Sequence, residues 1–401
     1  MRIAIVGTGI AGLGAAHALD RSHEVELFER QPRVGGHTNT VDVRGGEDRL
    51  AVDTGFIVHN AVNYPRLLKL FEELGVATQD SEMSLAVSCA GCGLEFSSRR
   101  PHRSGRLLPE ILRFQRTAEA VIARDEHAGS TLARFVASEQ YSERFAHHFL
   151  VPLCSAIWSA PPDAALDFPA RYAVSFLSNH GVLGLRHFRW RTVTGGSRQY
   201  VRALLGRFGG QLHLDGVRTI ERDADGVTLR TGDGQARRFD RVVVATHADE
   251  ALGLLAAPTD EEHRLLGSFA FTVNETVLHT DVRFLPRSRA LRAAWNYQLA
   301  TCAPEGTHPT MTYSMNRLQR LTEDEEYCVT LNRGREIDES KVIARFDYTH
   351  PQYSFTSLAA QTELGSLNGP NHTAFAGAWQ GYGFHEDGLV SGQRAAEAIA
   401  R

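Results

Sequence analysis

The run Arg2-Ile3-Ala4-Ile5-Val6 passes directly into Gly7-Thr8-Gly9-Ile10-Ala11-Gly12. A short apolar, β-branched run reads as a buried strand, and the stretch through Leu19 reads as a helix. Gly7, Gly9 and Gly12 therefore stand in a G-x-G-x-x-G turn at a strand-to-helix junction. Such a turn uses its glycines for the tight bend, for close approach of a pyrophosphate to backbone N–H groups, and for packing the helix on the strand. The helix N-terminus favours the phosphate charge. The segment HEVELFER supplies a second strand, and Glu29 ends it 22 residues after Gly7, where a carboxylate accepts hydrogen bonds from adenosine ribose hydroxyls. The chain thus opens on a βαβ unit of Rossmann type built for a dinucleotide.

Two further glycine elements decide which dinucleotide. Val34-Gly35-Gly36-His37-Thr38 puts another glycine turn near the same phosphates, and AGAWQGYGFHEDGLVSG (376–392) forms a third glycine-rich crossing that opens the last helix. Its dipole would stabilise negative charge on a reduced flavin. Three separated glycine elements suit a long extended cofactor, which favours FAD. Ile10, Ala11 and Thr38 lie within these turns and, with Arg30, Gly55 and Phe56, complete the expected cofactor wall. No second G-x-G-x-x-G exists for NAD(P)H.

A chain of 401 residues exceeds one typical core, and segments resembling one nucleotide-binding domain occur at its start, middle and end. The expected organisation is α/β. Residues 1–62, 192–250 and 365–401 form a Rossmann cofactor-binding domain, interleaved with an α+β substrate domain from 63–191 and 251–364. A formal charge of −4 argues against a nucleic-acid partner. Lys69 and Lys341 are the only lysines, which leaves few candidates for a catalytic amine.

The five cysteines are scattered and fit a reducing compartment better than a disulfide framework. Cys89 and Cys92 form one C-x-x-C, but no second pair or nearby histidine pair completes a four-ligand set, so it reads as an unpaired turn with no metal expected, a redox or metal role being the alternative. No run reaches the roughly 18 apolar residues of a spanning helix, and the N-terminal apolar run is cut by Gly7 and Gly9 before a signal sequence forms. The expected location is the cytoplasm, with peripheral contact at the inner membrane left open. Its vehicle would be the arginine-rich helical stretch that includes Arg99, Arg100 and Arg103. The bland alternative is a solvated helix face.

The stretches NYPRLLKLFEELGV, FLSNHG, WRTVTGGSRQYV, VVVATHADEAL, WNYQ, YSMNRLQ, LNRG and GYGFHEDGLVSG resemble the glutathione-reductase-like flavoproteins of the amine-oxidase and phytoene-desaturase branch. Within that branch the chain is similar to bacterial flavin oxidoreductases encoded beside cyclopropane-fatty-acyl synthases. The resemblance implies a non-covalent FAD. Gly7, Gly9, Gly12 and Glu29 would serve its adenosine half, Gly35 and Gly36 the pyrophosphate neighbourhood, and Val217 the adenine. Gly377, Asp387, Gly388 and Leu389 would approach the ribityl chain and flavin. His37 and Gln31 replace arginines usual in amine oxidases.

A flavin of this branch accepts a hydride from a C–H bond. Many flavin amine oxidases keep a lysine near the flavin, and neither lysine here falls in such a segment. The resemblance instead implies desaturation of a lipid-bound acyl chain, and the aromatic-rich middle, including Trp158, Phe176, Phe188, Trp190, Trp295 and Tyr297, is able to line an apolar tunnel for it, with ordinary core packing the bland alternative for each ring. His385 and Glu386 are expected to transfer the proton, since histidine titrates near neutrality. Asn296, Tyr297, Tyr313 and Asn316 would hydrogen-bond substrate or flavin. The alternatives are an amine, porphyrinogen or carotenoid oxidase, a redox-neutral acyl double-bond isomerase, and a flavoprotein partner of a cyclopropane-type methyltransferase.

Overall fold

Every position of strand β1 (Arg2–Val6) after Arg2 is buried, as a strand covered on both faces requires. A computed structural model, which describes residues 1–45, 48–100, 105–124, 127–183, 188–303 and 310–401, places β1 at the centre of a parallel five-stranded sheet. The order is Gln211–His213, β2 (Glu24–Phe28), β1, Arg241–Val244 and Thr373–Phe375. Helix α1 (Ile10–Leu19) and the last helix, His385–Ile399, share a core on one face. The antiparallel meander of Val217–Asp223, Gly226–Thr231 and Ala236–Phe239 closes on the other, where Ile220, Val227 and Leu229 meet Ala4, Val6 and Phe28.

Small residues set how closely these layers approach. A Cβ added to Gly12 would lie 1.9 Å from the Gly7 carbonyl oxygen, and one on Gly392 would lie 2.0 Å from the Ala11 carbonyl oxygen. Helix, strand and last helix are therefore in backbone contact around the glycine turn.

The second domain is a seven-stranded mixed sheet in the order Val342–Gln352, Ala270–His279, Cys328–Leu331, Met311–Ser314, Trp295–Leu299, Leu85–Cys89 and Glu95–Ser97. Helices Leu108–Ile122, Val151–Trp158 and Ala170–Asn179 cover part of it with an aromatic-rich core. The five parallel strands come from the segments expected for the cofactor domain. Its expected borders are nonetheless displaced. Helix Pro65–Leu74 buries Leu67, Leu70, Phe71 and Leu74 in the α1 core, and Leu265, Leu266, Ala360 and Leu364 pack beneath the parallel sheet. An amphipathic helix belongs to whatever its apolar face covers, and spacing alone does not name that surface.

The arginine-rich helix spends its apolar stripe internally, burying Ile111, Phe114, Ala118, Val121 and Ile122. Arg113 lies over the Tyr141 ring, 3.9 Å from its centroid, while Arg103 falls outside the described residues. Among the described residues no helix is long and apolar enough to cross a membrane.

Candidate functional site

A cavity of about 820 Å³ runs from the glycine turn to the seven-stranded sheet. Its floor follows from the local sequence. Gly7 adopts φ +99° while its N–H donates to the Phe28 carbonyl at 2.8 Å, so the chain turns sharply off β1. Gly9 caps α1 without a side chain, which leaves first-turn N–H groups for a ligand. A Cβ at Gly9 would meet nothing within 4 Å, so the glycine keeps space open and not a protein contact close. Gly36, at φ +58°, sits directly beside it, and its added Cβ would stand 3.0 Å from the Gly9 Cα. Two glycine turns thus form one cradle that a side chain would fill, which fits a pyrophosphate.

Glu29 is buried, with its carboxylate accepting from the Thr8 N–H at 3.1 Å, the Thr8 hydroxyl, and the Gln31 N–H at 2.9 Å. Arg33 stands on the cavity wall close to the glycine cradle, and its guanidinium donates to the Gly36 carbonyl at 2.6 Å.

Of the expected cofactor residues, Gly7, Gly9, Ile10, Ala11, Glu29, Arg30, Gly36, His37, Gly55, Phe56, Val217 and Gly377 line the cavity. The others stand one layer behind. Gly12 docks α1 on the turn, and the Gly35 N–H donates to the Thr8 hydroxyl at 3.3 Å. Asp387 accepts from the Phe384 N–H at 2.9 Å, and burial raises its carboxyl to about 6. A Cβ on Gly388 would lie 2.7 Å from Ile10, and Leu389 is fully buried beside Gly14. Gly388 and Leu389 hold the last helix against α1, and Asp387 caps that helix's own first turn.

His385 is on the wall, stacked on Phe56 at 3.7 Å between centroids. The hydroxyls of Thr38 and Tyr200 lie 3.0 and 3.2 Å from its Nε2, and those two hydroxyls also bond to each other. Burial, with His59 adding a smaller repulsion, pushes His385 down to about 3. It does not titrate near neutrality as the sequence suggested. At pH 7 it is a neutral, firmly oriented imidazole.

Glu386 leaves the cavity altogether. Its two carboxylate oxygens accept the N–H groups of Arg66 and Leu67, at 2.8 and 2.9 Å, capping helix Pro65–Leu74 across the fold. Proton transfer by Glu386 is therefore replaced by a structural role. Glu386→Gln should lower stability by about 1 kcal/mol, the usual cost of a weakened cap, and leave the FAD content unchanged. Thermal denaturation and flavin absorbance on one preparation check both.

Asn296 and Tyr297 are likewise not on the cavity wall. The Asn296 amide accepts from the Ala293 N–H at 2.9 Å and donates to the Ala293 and Thr312 carbonyls, at 2.7 and 3.2 Å. Tyr297 is buried in the core beneath the helices, where desolvation raises its hydroxyl to about 12. Asn316 clips a loop by donating to the Glu323 and Glu325 carbonyls.

The neighbours Trp295 and Tyr313, paired in register, are the ones that reach the wall, joined there by Trp158. Phe176 and Trp190 sit in core packing, and Phe188 lines a separate cavity of about 430 Å³.

Sequence reading missed a histidine cluster on the wall. His37, His247 and His350 converge, with His37 5.3 Å from His350 and 6.3 Å from His247 between ring centroids. Burial holds all three below the usual histidine range, His350 at about 4. The only signal was the odd His37 after the glycine pair. Neither lysine lies on the wall; Lys69 pairs with Glu73 at 4.0 Å and Lys341 with Asp281 at 3.9 Å.

A parallel sheet with a glycine cradle at its helix mouth, joined by one cavity to an aromatic second domain, defines a dinucleotide-binding oxidoreductase fold. The chain belongs to the flavin containing amine oxidoreductases, whose family pattern matches residues 10–400. Members of that family are FAD-dependent oxidoreductases.

It is 26% identical over 253 residues to the Mycobacterium tuberculosis protein named "Putative flavin-containing monoamine oxidase AofH", a match covering 58% of this chain and 54% of the relative. The chain thus spans about half the length of the curated relatives it matches. The fold is shared with cyclohexylamine oxidase from Brevibacterium oxydans, at TM-score 0.72 and 18% identity over 100% of this chain and 98% of that one. It is also shared with a CLA-producing fatty acid isomerase from P. acnes, at TM-score 0.70 and 14% identity over 98% and 97%.

Proposed function

We propose that the protein oxidises an unsaturated fatty acyl chain, taking a hydride from an activated C–H bond and leaving a new double bond. When bound, FAD supplies the hydride acceptor. The observation that carries the reading is the composition of the cavity's far end. Ile157, Trp158, Trp295, Tyr313, Leu318 and Leu331 wall it with apolar and aromatic surface. The described carboxylates on the wall lie elsewhere: Glu29 on Thr8, Glu250 paired with Arg30, and Asp347 exposed. An alkyl chain gains from this surface, whereas an ammonium group would find no buried counter-charge there.

Trp295 and Tyr313 meet edge to face at 5.7 Å and would grip the chain. His385, held through Nε2 by Thr38 and Tyr200, keeps Nδ1 as its second hydrogen-bonding atom. A neutral imidazole of low basicity suffices to take the proton next to a carbon that is losing hydride, because that proton is strongly acidic.

Trp295→Ala should raise the KM for acyl lipid about tenfold, as expected for losing one buried aromatic contact, with FAD content unchanged. The direct test is anaerobic mixing of the FAD-loaded protein with monounsaturated phospholipid while the flavin's visible band is followed. Bleaching by lipid and not by polyamines or phenethylamine supports the proposal. Bleaching by amines alone overturns it in favour of amine oxidation.

A further inference from the structure

The C-x-x-C that the sequence left as a turn acquires two partners from distant segments. Cys89 ends strand Leu85–Cys89, Cys92 follows in the turn, Cys302 lies just beyond strand Trp295–Leu299, and His148 sits in the π-helical turn Ala146–Leu150. Their ligand atoms all lie within 4.8 Å of one another. The Sγ atoms of Cys89 and Cys302 are 3.9 Å apart, and the Cys92 Sγ is 3.5 Å from the His148 Nε2.

These separations are informative. A tetrahedral zinc with Zn–S of about 2.3 Å and Zn–N of about 2.0 Å requires S···S near ~3.8 Å and S···N near ~3.5 Å. A disulfide would need about 2.05 Å. The surroundings are arranged for the same geometry. The His148 Nδ1–H donates to the Arg144 carbonyl at 3.2 Å, which fixes the tautomer that presents an Nε2 lone pair to the thiols.

The turn itself is a knuckle. The Gly93 N–H donates to the Cys89 carbonyl and the Cys89 N–H to the Leu94 carbonyl, both at 2.9 Å, with Gly93 at φ +70°. The Ala90 N–H donates to the Leu299 carbonyl at 2.8 Å, bringing the Cys302 segment alongside.

We infer that Cys89, Cys92, His148 and Cys302 form a Cys3His structural zinc site. Four protein ligands leave no open position, so the metal pins the helical layer to the sheet edge and takes no part in the reaction. The site joins three segments spread over 214 residues, from Cys89 to Cys302. His148 and Cys302 lie far from the C-x-x-C in sequence, so its spacing alone shows only half of the ligand set. This inference is independent of the proposed substrate.

The test uses the full-length, FAD-loaded protein from zinc-supplemented cells, freed of loose metal and assayed by elemental analysis. About one zinc per chain is expected, falling below about a tenth in the Cys92→Ser/Cys302→Ser variant while the flavin is retained. If that variant does not fold, the wild-type protein still decides. Exchange of Co2+ into it should give tetrahedral thiolate bands in the red, beyond flavin absorption, and a mercurial thiol reagent should release the zinc. Wild-type protein without zinc, zinc retained in the folded variant, or a disulfide among these cysteines in fresh protein would each overturn the assignment.

Discussion

Gly12→Ala should cost the protein both its cofactor and much of its stability, whereas Gly9→Ala should cost it the cofactor alone. The new methyl at position 12 would stand 1.9 Å from the Gly7 carbonyl oxygen, a backbone atom held by the turn itself. Relief requires α1 to lift off β1. Overpacking of a close-packed core costs about 1–3 kcal/mol, and a clash with backbone belongs at or above the upper end. Against a typical reserve of about 5–15 kcal/mol that is a large loss.

Gly9 is the opposite case. Its backbone, at φ −64° and ψ 177°, suits any residue, and its added Cβ touches no protein atom within 4 Å. The methyl would occupy the space kept for phosphate. A weakening of FAD affinity by about tenfold to a hundredfold, or about 1.4–2.8 kcal/mol, is the expected result with an unchanged melting temperature of the apoprotein. Flavin retained per chain and thermal melting of both variants check the contrast. Wild-type FAD affinity in Gly9→Ala would show that the cradle is not where the phosphates sit.

The second large effect is acid instability. His59 and His279 are fully buried, and burial lowers each to about 4 in the folded protein. The unfolded chain protonates these groups from about pH 6.5 downward, so it binds more protons than the folded chain between about pH 6.5 and 4. Their stabilising contribution is therefore complete above about 6.5 and is lost as pH falls. At pH 4 each costs roughly 3 kcal/mol.

Asp53 works the other way. It accepts from the Ser197 N–H at 2.9 and 3.0 Å and from its hydroxyl at 2.8 Å, yet burial raises it to about 6. The folded protein holds that proton more tightly than the unfolded chain, which returns about 2 kcal/mol at pH 4. His350 and His385 add to the histidine side. The denaturant midpoint should fall steeply between pH 6.5 and 4.5, and less steeply in His279→Gln. A midpoint flat across that range would contradict the burial of these rings.

What could be read from the sequence was the part whose geometry is local. Gly7, Gly9, Gly12 and Glu29 lie within one βαβ unit, and the spacing of glycines and strand ends fixes where they go. Sites assembled across the chain were less legible. Thr38, Tyr200 and His385 meet in one hydrogen-bonded group, although 347 residues separate the first from the last.

Adjacency also misled. Glu386 follows His385 directly, but successive helical residues point about 100° apart, and the carboxylate faces helix Pro65–Leu74. In strand Trp295–Leu299 the alternation of faces sends Asn296 away from the side that Trp295 gives to the cavity. Tyr297 shares that side but lies two residues along, under the helical layer. Which of several polar residues in a family-like stretch meets substrate depends on what covers each face, and that is a property of the assembled layers.

Whether the acyl chain undergoes net oxidation is read from the mass of the product. FAD-loaded protein turning over a monounsaturated phospholipid in the presence of oxygen should yield phospholipid whose acyl chain is lighter by two hydrogens, with one added double bond. A double bond that moves at constant mass would contradict net oxidation and make the protein an isomerase, and an acyl chain recovered unchanged would contradict the lipid substrate itself.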